Sequence, residues 1–205
     1  GIAQQPQGGH VYTGGSFSMS ETVSGGYGPV AYQWIHDETE VGDATTATLS
    51  FPSAALGDAG MYVCRVTDAQ GGMESSPATL EVANPLAITG HPEGAILPAG
   101  QPYTLTVSVD GGFAPLGYLW SRNGSPLSGA TGASHAIAAM SAQDIGTYHC
   151  AVTDAKGTGA LSNGAFVGME NMLTIVSQPQ SATRHEGESC AFEVVVAGAV
   201  GTVEY

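Results

Sequence analysis

A chain of 205 residues with 42% apolar and only 11% charged residues has enough apolar material for one or two ordinary cores. Its net charge of −14, with four basic residues against 18 acidic ones, excludes nucleic-acid binding and electrostatic attachment to anionic membranes. The 30 glycines and 11 prolines, with no sustained helical apolar stripe, point to an all-β protein of short strands and many turns.

In chain order, Ile2 to Pro6 reads as a short edge strand, where a proline is tolerated. Phe17, Met19, Glu21 and Val23 alternate at the period of a half-buried strand. Val30, Tyr32 and Trp34 form the next strand, followed by a polar hairpin in which His36-Asp37-Glu38-Thr39-Glu40 crowds carboxylates without the spacing of a calcium loop. Leu49 and Phe51 mark a further strand. Asp58-Ala59-Gly60-Met61-Tyr62-Val63-Cys64 reads as a sharp turn entering a strand. A turn over Asp68-Ala69-Gln70-Gly71 leads to a last strand through Leu80 and Val82.

The same elements recur 86 residues later. Tyr32-Gln33-Trp34 returns as Tyr118-Leu119-Trp120, Tyr62-Val63-Cys64 as Tyr148-His149-Cys150, and Val66-Thr67-Asp68-Ala69 as Val152-Thr153-Asp154-Ala155. Gly14 returns as Gly100 and again as Gly187. The repeat therefore predicts two full domains, 1–86 and 87–174, and the opening strands of a third, 175–205. Strand follows strand across the junctions with no Gly/Ser linker, so modules strung end to end as a semi-rigid rod are expected. The chain starts without Met or a signal-peptide pattern and stops inside the third repeat. The expectation is an excerpt that continues, with completion of the third sheet by another copy as the alternative.

This set of motifs resembles the immunoglobulin superfamily, in particular the I-set-like modules and bacterial Ig-like domains strung along cell-surface proteins. The resemblance implies tandem β-sandwiches whose core motif is Trp34, Tyr62 and Cys64, repeated as Trp120, Tyr148 and Cys150. It also implies a disulfide from each of those cysteines to the second strand, 13 residues before the Trp. Glu21 and Val107 stand there, so neither bond can form. The domains must do without the ~2–5 kcal/mol that such a bond contributes. Cys64 and Cys150 then read as core thiols, and Glu21 as an inward carboxylate that must be neutral or hydrogen-bonded. Cys190 is expected as a buried thiol, with an intermolecular disulfide as the alternative.

No Gly-x-Ser-x-Gly elbow, phosphate loop or dinucleotide fingerprint occurs, and the six histidines lack metal-site spacing. We therefore expect no catalytic residue, no cofactor and no metal. Tyr27 and Phe113, in corresponding loops, are the candidate ligand contacts, either for a glycan or as loop anchors. Asn123-Gly124-Ser125 fits an N-glycosylation acceptor as well as a hairpin turn. The expected role is structural or adhesive, in an extracellular stalk, adhesin or filament. The expected partners are proteins, copies of the chain itself or glycans. The alternative is a glycan- or protein-binding accessory of a larger secreted protein.

Overall fold

The computed structural model describes residues 1–170 and 174–197. Among them the regular structure is all β, interrupted by two single 3-10 turns, Leu56–Asp58 and Ala142–Asp144. Two compact units form. The first comprises Gly1–Ala87 together with Val109–Leu116 and Thr153–Ala160; the second comprises Ile88–Ser108, Gly117–Val152 and Leu161 onward. The units thus cross the repeat boundaries drawn from the sequence, because two loop segments of the second repeat belong to the first unit.

In the first repeat the strands are β1 (Ile2–Gln4), β2 (Gly9–Tyr12), β3 (Phe17–Ser20), β4 (Thr22–Val23), β5 (Ala31–His36), β6 (Thr39–Glu40), β7 (Thr48–Phe51), β8 (Gly60–Asp68), β9 (Gly71–Glu74) and β10 (Ala78–Ala83). One sheet runs β2-β10-β8-β5-β6, with β9 also paired to β8; β3 pairs with β7 and β1 with β4. All these pairings are antiparallel except β2 with β10, which is parallel. The strand expected to run unbroken from Phe17 to Val23 is split at Glu21. There the backbone changes partner: β3 lies against β7, the Glu21 N–H donates to the Ala47 carbonyl, and β4 lies against β1.

Register fixes which side chains meet. Trp34 lies opposite Cys64 and His36 opposite Tyr62. The period of 2 then sends Tyr62, Cys64 and Val66 inward, where they meet Met19, Trp34 and Leu80. Trp34 and Cys64 are fully buried and Tyr62 nearly so. Burying an aromatic side chain of this size removes about 150–250 Å² from water, an upper bound of about 4–6 kcal/mol each. Their polar atoms are satisfied: the Trp34 Nε1–H donates to the Thr46 carbonyl at 2.9 Å, and the Tyr62 hydroxyl to the Asp58 carbonyl at 2.7 Å.

The same sites recur in the second repeat, whose strands are β11 (Ala87–Gly90), β12 (Ala95–Leu97), β13 (Tyr103–Thr106), β14 (Ser108–Asp110), β15 (Gly117–Arg122), β16 (Ser125–Pro126), β17 (Ser134–Ile137), β18 (Gly146–Thr153), β19 (Gly159–Leu161) and β20 (Ala165–Met169). The Trp120 Nε1–H donates to the Gly132 carbonyl at 2.9 Å and the Tyr148 hydroxyl to the Asp144 carbonyl at 2.7 Å. Trp120 and Cys150 are fully buried and Val107 is 5% exposed.

Of the third repeat, β21 (Thr174–Ser177) pairs with β22 (Val195–Ala197). Within the stretch expected to hold the opening strands, the second strand starts at Val195, and Cys190, expected buried, lies exposed with Phe192 in irregular backbone. Among the described residues this hairpin has no second layer to bury a face against, and a two-stranded ribbon alone is marginal. The remainder of the third repeat, beyond residue 197, lies outside the described residues.

The Asp-x-Gly-x-Tyr-x-Cys motif has a local reason. The Asp58 carboxylate accepts the Ala55 N–H at 2.8 Å and closes the turn. Gly60 then has φ +156°, and a Cβ there would lie 2.6 Å from Asp37 Oδ2 and closer still to His36 Nε2. Gly60→Ala is therefore expected to destabilise the first repeat by about 1–3 kcal/mol through overpacking and strain, measured by urea unfolding followed by Trp fluorescence.

Candidate functional site

The longest strand of each full repeat leads to an aspartate that ties two loops together, Asp68 as the last residue of β8 and Asp154 directly after β18. At the end of β8, Asp68 Oδ1 accepts the N–H groups of Gln70 (2.8 Å) and Gly71 (3.1 Å), an Asx turn that shapes the β8–β9 hairpin. Its Oδ2 accepts the Tyr27 N–H at 3.0 Å, and the Ala69 N–H donates back to the Tyr27 carbonyl at 3.1 Å. Asp154 repeats the frame. Its Oδ1 accepts Lys156 (3.0 Å) and Thr158 (2.9 Å), its Oδ2 accepts the Phe113 N–H at 3.0 Å, and Ala155 donates to the Phe113 carbonyl at 2.8 Å.

The two frames differ in what covers them. Within the first unit the Tyr12 hydroxyl donates to Asp154 Oδ2 and lies 2.7 Å from the Thr158 hydroxyl, which can donate back. The Tyr12 ring packs on Phe113 at 5.1 Å, His10 meets the same ring edge-on at 5.3 Å, and Lys156 Nζ sits 4.8 Å over Tyr12 while donating to the His10 carbonyl. Burial and the Asp154 carboxylate push the Tyr12 hydroxyl pKa up. Burial works against the Asp154 charge, but the hydrogen bonds from Tyr12, Phe113, Thr158 and Lys156 outweigh it and hold the carboxyl below its ordinary value.

At Asp68 the equivalent position is open. A cavity of about 240 Å³ lies beside it, lined by Gly26, Val30, Val66, Gln70 and Met73 among others. Among the described residues no side chain donates to the Asp68 carboxylate, whose pKa the Tyr27 N–H, with help from Gln70 and Gly71, holds low. Tyr27 is 64% exposed, whereas Phe113 is 6% exposed. The two aromatic loop residues expected as equivalent ligand contacts are thus not equivalent. Tyr27 is available, and Phe113 is corrected to a covered side chain because Tyr12 and His10 pack onto it.

A second unusual site lies inside the first sandwich. Glu21 is 3% exposed, and neither carboxyl oxygen has a hydrogen-bond partner. Burial raises its pKa, so it resists ionisation. The neighbouring Cys64 thiol is pushed up to about 12, by burial first and by Glu21 second. Both cysteines of the core motif are free and buried. Their backbones are held by serines instead: Ser75 Oγ accepts the Cys64 N–H at 2.9 Å, and Ser162 Oγ accepts the Cys150 N–H at 2.8 Å.

The remaining predicted residues are dispersed. Asn123 is exposed at φ +50° in the hairpin between β15 and β16, with its Oδ1 accepting the Thr147 N–H at 2.9 Å. Cys190, expected as a buried thiol, is exposed and free. The acidic hairpin is spread out: Asp37 accepts the Met61 N–H, and Glu40 pairs with Arg65 at 3.0 Å. Tyr12, Asp154 and Lys156 were missed as site residues. The Val-Thr-Asp-Ala repeat marked both aspartates, but Tyr12 has no counterpart, since Pro98 stands 86 residues later.

A family model described as Immunoglobulin domain matches residues 2–82. The first repeat is thus an immunoglobulin domain. The chain is similar to the Decoration protein of Escherichia phage T5, 37% identical over 75 residues, which is 37% of this chain and 46% of that protein. It is also similar to Roundabout homolog 3 of Homo sapiens, 31% identical over 148 residues, 69% of this chain and 10% of that protein. The chain spans less than half the length of either relative. Among solved structures, the I-band fragment I67-I69 from titin aligns with a TM-score of 0.67 at 19% identity, over 87% of this chain and 68% of that one. The N-terminal four Ig domains of Dscam1 isoform 6.9 align with a TM-score of 0.58 at 22% identity, over 80% and 43%. These likenesses establish tandem immunoglobulin-like sandwiches.

The raised pKa of Glu21 means that the folded state binds this proton more tightly than the unfolded state, so the stability it contributes is full at low pH and is lost as pH rises above the ordinary carboxyl value of 4.5. Glu21→Val, the residue of the second repeat, is expected to stabilise the first repeat by about 1–3 kcal/mol at neutral pH. The gain should shrink toward acid pH, as read by paired thermal melts of the two proteins across the pH range.

Proposed function

We propose that the chain is a structural and adhesive segment of an extracellular stalk, adhesin or filament, built of tandem immunoglobulin-like modules and carrying no catalysis of its own. The observation that carries this reading is the composition of the first unit. Its loops Val109–Leu116 and Thr153–Ala160 come from the second repeat and are held by Tyr12, His10 and Asp154. Loops at this end of a sandwich are where a binding module would meet its ligand, and here they are used to join module to module. The acidic composition favours solubility. Among the described residues no helix is long and apolar enough to cross a membrane.

Likeness to proteins named for decoration and for the roundabout and Dscam families supports a surface role in contact with other proteins. A second reading is a protein- or glycan-capturing accessory of a larger secreted protein. It is favoured by the exposed Tyr27, whose N–H Asp68 holds, and by the cavity that Asp68 lines.

The test uses the full-length protein on the cell or particle that carries it. Antibody raised against residues 1–170 is expected to label the intact surface, and deletion of these residues to weaken attachment strongly. Labelling only after permeabilisation, with attachment unchanged, would contradict the proposal.

A further inference from the structure

We infer that the Asp68 socket docks a further immunoglobulin-like module that presents a tyrosine hydroxyl to Asp68 Oδ2 in the way Tyr12 presents one to Asp154 Oδ2. This deepens the proposed function and rests on its reading of loops as joints. The filled socket within the first unit supplies the occupant's chemistry. Both aspartates spend Oδ1 on two hairpin amides and use Oδ2 for the amide of the aromatic loop residue, Tyr27 or Phe113. At Asp154 the same Oδ2 also takes the phenol of Tyr12, and the aromatic residue is covered by Tyr12 and His10. At Asp68 that acceptor has no side-chain donor among the described residues, and Tyr27 lies open.

The rest of the socket fits the same partner. Val30, Val66 and Met73 offer an apolar wall beside the carboxylate, suited to an aromatic ring with one polar tip. Gln70 stands where Lys156 stands in the filled copy, and its amide keeps a donor for a main-chain carbonyl such as that of His10, without the positive charge. Gly72 stands in place of Thr158, so the phenol loses one oxygen partner. The Asp68 joint should therefore be weaker than the Asp154 joint. A charged or purely polar small ligand would use the carboxylate but leave the apolar wall and Tyr27 unmatched.

The test uses this chain's own Tyr12-bearing repeat as the probe. A second copy of residues 1–86 is fused directly ahead of Gly1 in the full chain, which keeps the register by which residue 86 leads into residue 87. A double-mutant cycle then pairs Tyr12→Phe in the added copy with Asp68→Asn in the original copy, read by thermal melting. The matching cycle of Tyr12→Phe with Asp154→Asn in the unextended chain is the reference. The expected result is non-additive melting shifts in both cycles, smaller in the extended chain, so that Tyr12→Phe has little further effect once its aspartate is replaced. Additive shifts in the extended chain beside a coupled reference would overturn the inference. Additive shifts in the reference would overturn it as well, by removing its template. If Asp68→Asn melts the repeat by loosening the hairpin, Tyr27→Ser takes its place in the cycle, and additivity there counts against the joint in the same way. The cycle reads docking alone, so its failure would leave the surface-labelling result standing, and loss of surface labelling would leave the cycle standing.

Discussion

Everything in the two sandwiches depends on closing a layer of side chains around one tryptophan without a covalent tie. Trp34 and Trp120 are fully buried, and each is flanked by a tyrosine and a cysteine from the facing strand. Where the family would bridge that cysteine to the second strand, the first repeat has a carboxyl group and the second has a valine. The hydrogen bonds at the edges of this cluster replace some of the lost constraint. The tyrosine hydroxyls lock the turn before the strand, the tryptophan nitrogens lock the neighbouring loops, and the serines Ser75 and Ser162 lock the cysteine backbones. The same small set of contacts, made twice, is what the repeat preserves.

The two repeats are not equal in cost. Val107 completes the second core with apolar surface, whereas Glu21 places two unpartnered carboxyl oxygens in the first. A buried carboxyl of this kind stays neutral or destabilises the fold. Strand pairing changes from β7 to β1 at this residue, and its side chain keeps the inward direction that the alternation of Phe17, Met19 and Glu21 sets. Its neighbour is the Cys64 thiol, and its uncompensated burial makes it a liability of the first core.

Fold and core were legible because they depend on local rules. The alternation of Tyr62, Cys64 and Val66 and the glycine of the turn carry their meaning within a few residues, and the 86-residue repeat shows the same pattern twice. The inward position of Glu21 was legible for the same reason. The site was only half legible. The aspartate in Val-Thr-Asp-Ala could be read as a turn residue, but its second role depends on Tyr12, more than 140 residues away and present once. The 86-residue repeat put Tyr27 and Phe113 in corresponding loops, as if they were alike. What separates them, exposure in one and cover in the other, comes from residues distant in the chain. Cys190 was expected buried, but the layer that would cover it is not among the described residues.

The central claim is that packing, and not a cross-link, holds the sandwiches shut. It is tested most directly by alkylating the chain in denaturant without reductant and measuring its intact mass and modified peptides. The account predicts that both Cys64 and Cys150 are fully alkylated and that reductant leaves the melting temperature unchanged. Either cysteine remaining blocked until reductant is added, with a fall in melting temperature on reduction, would contradict it.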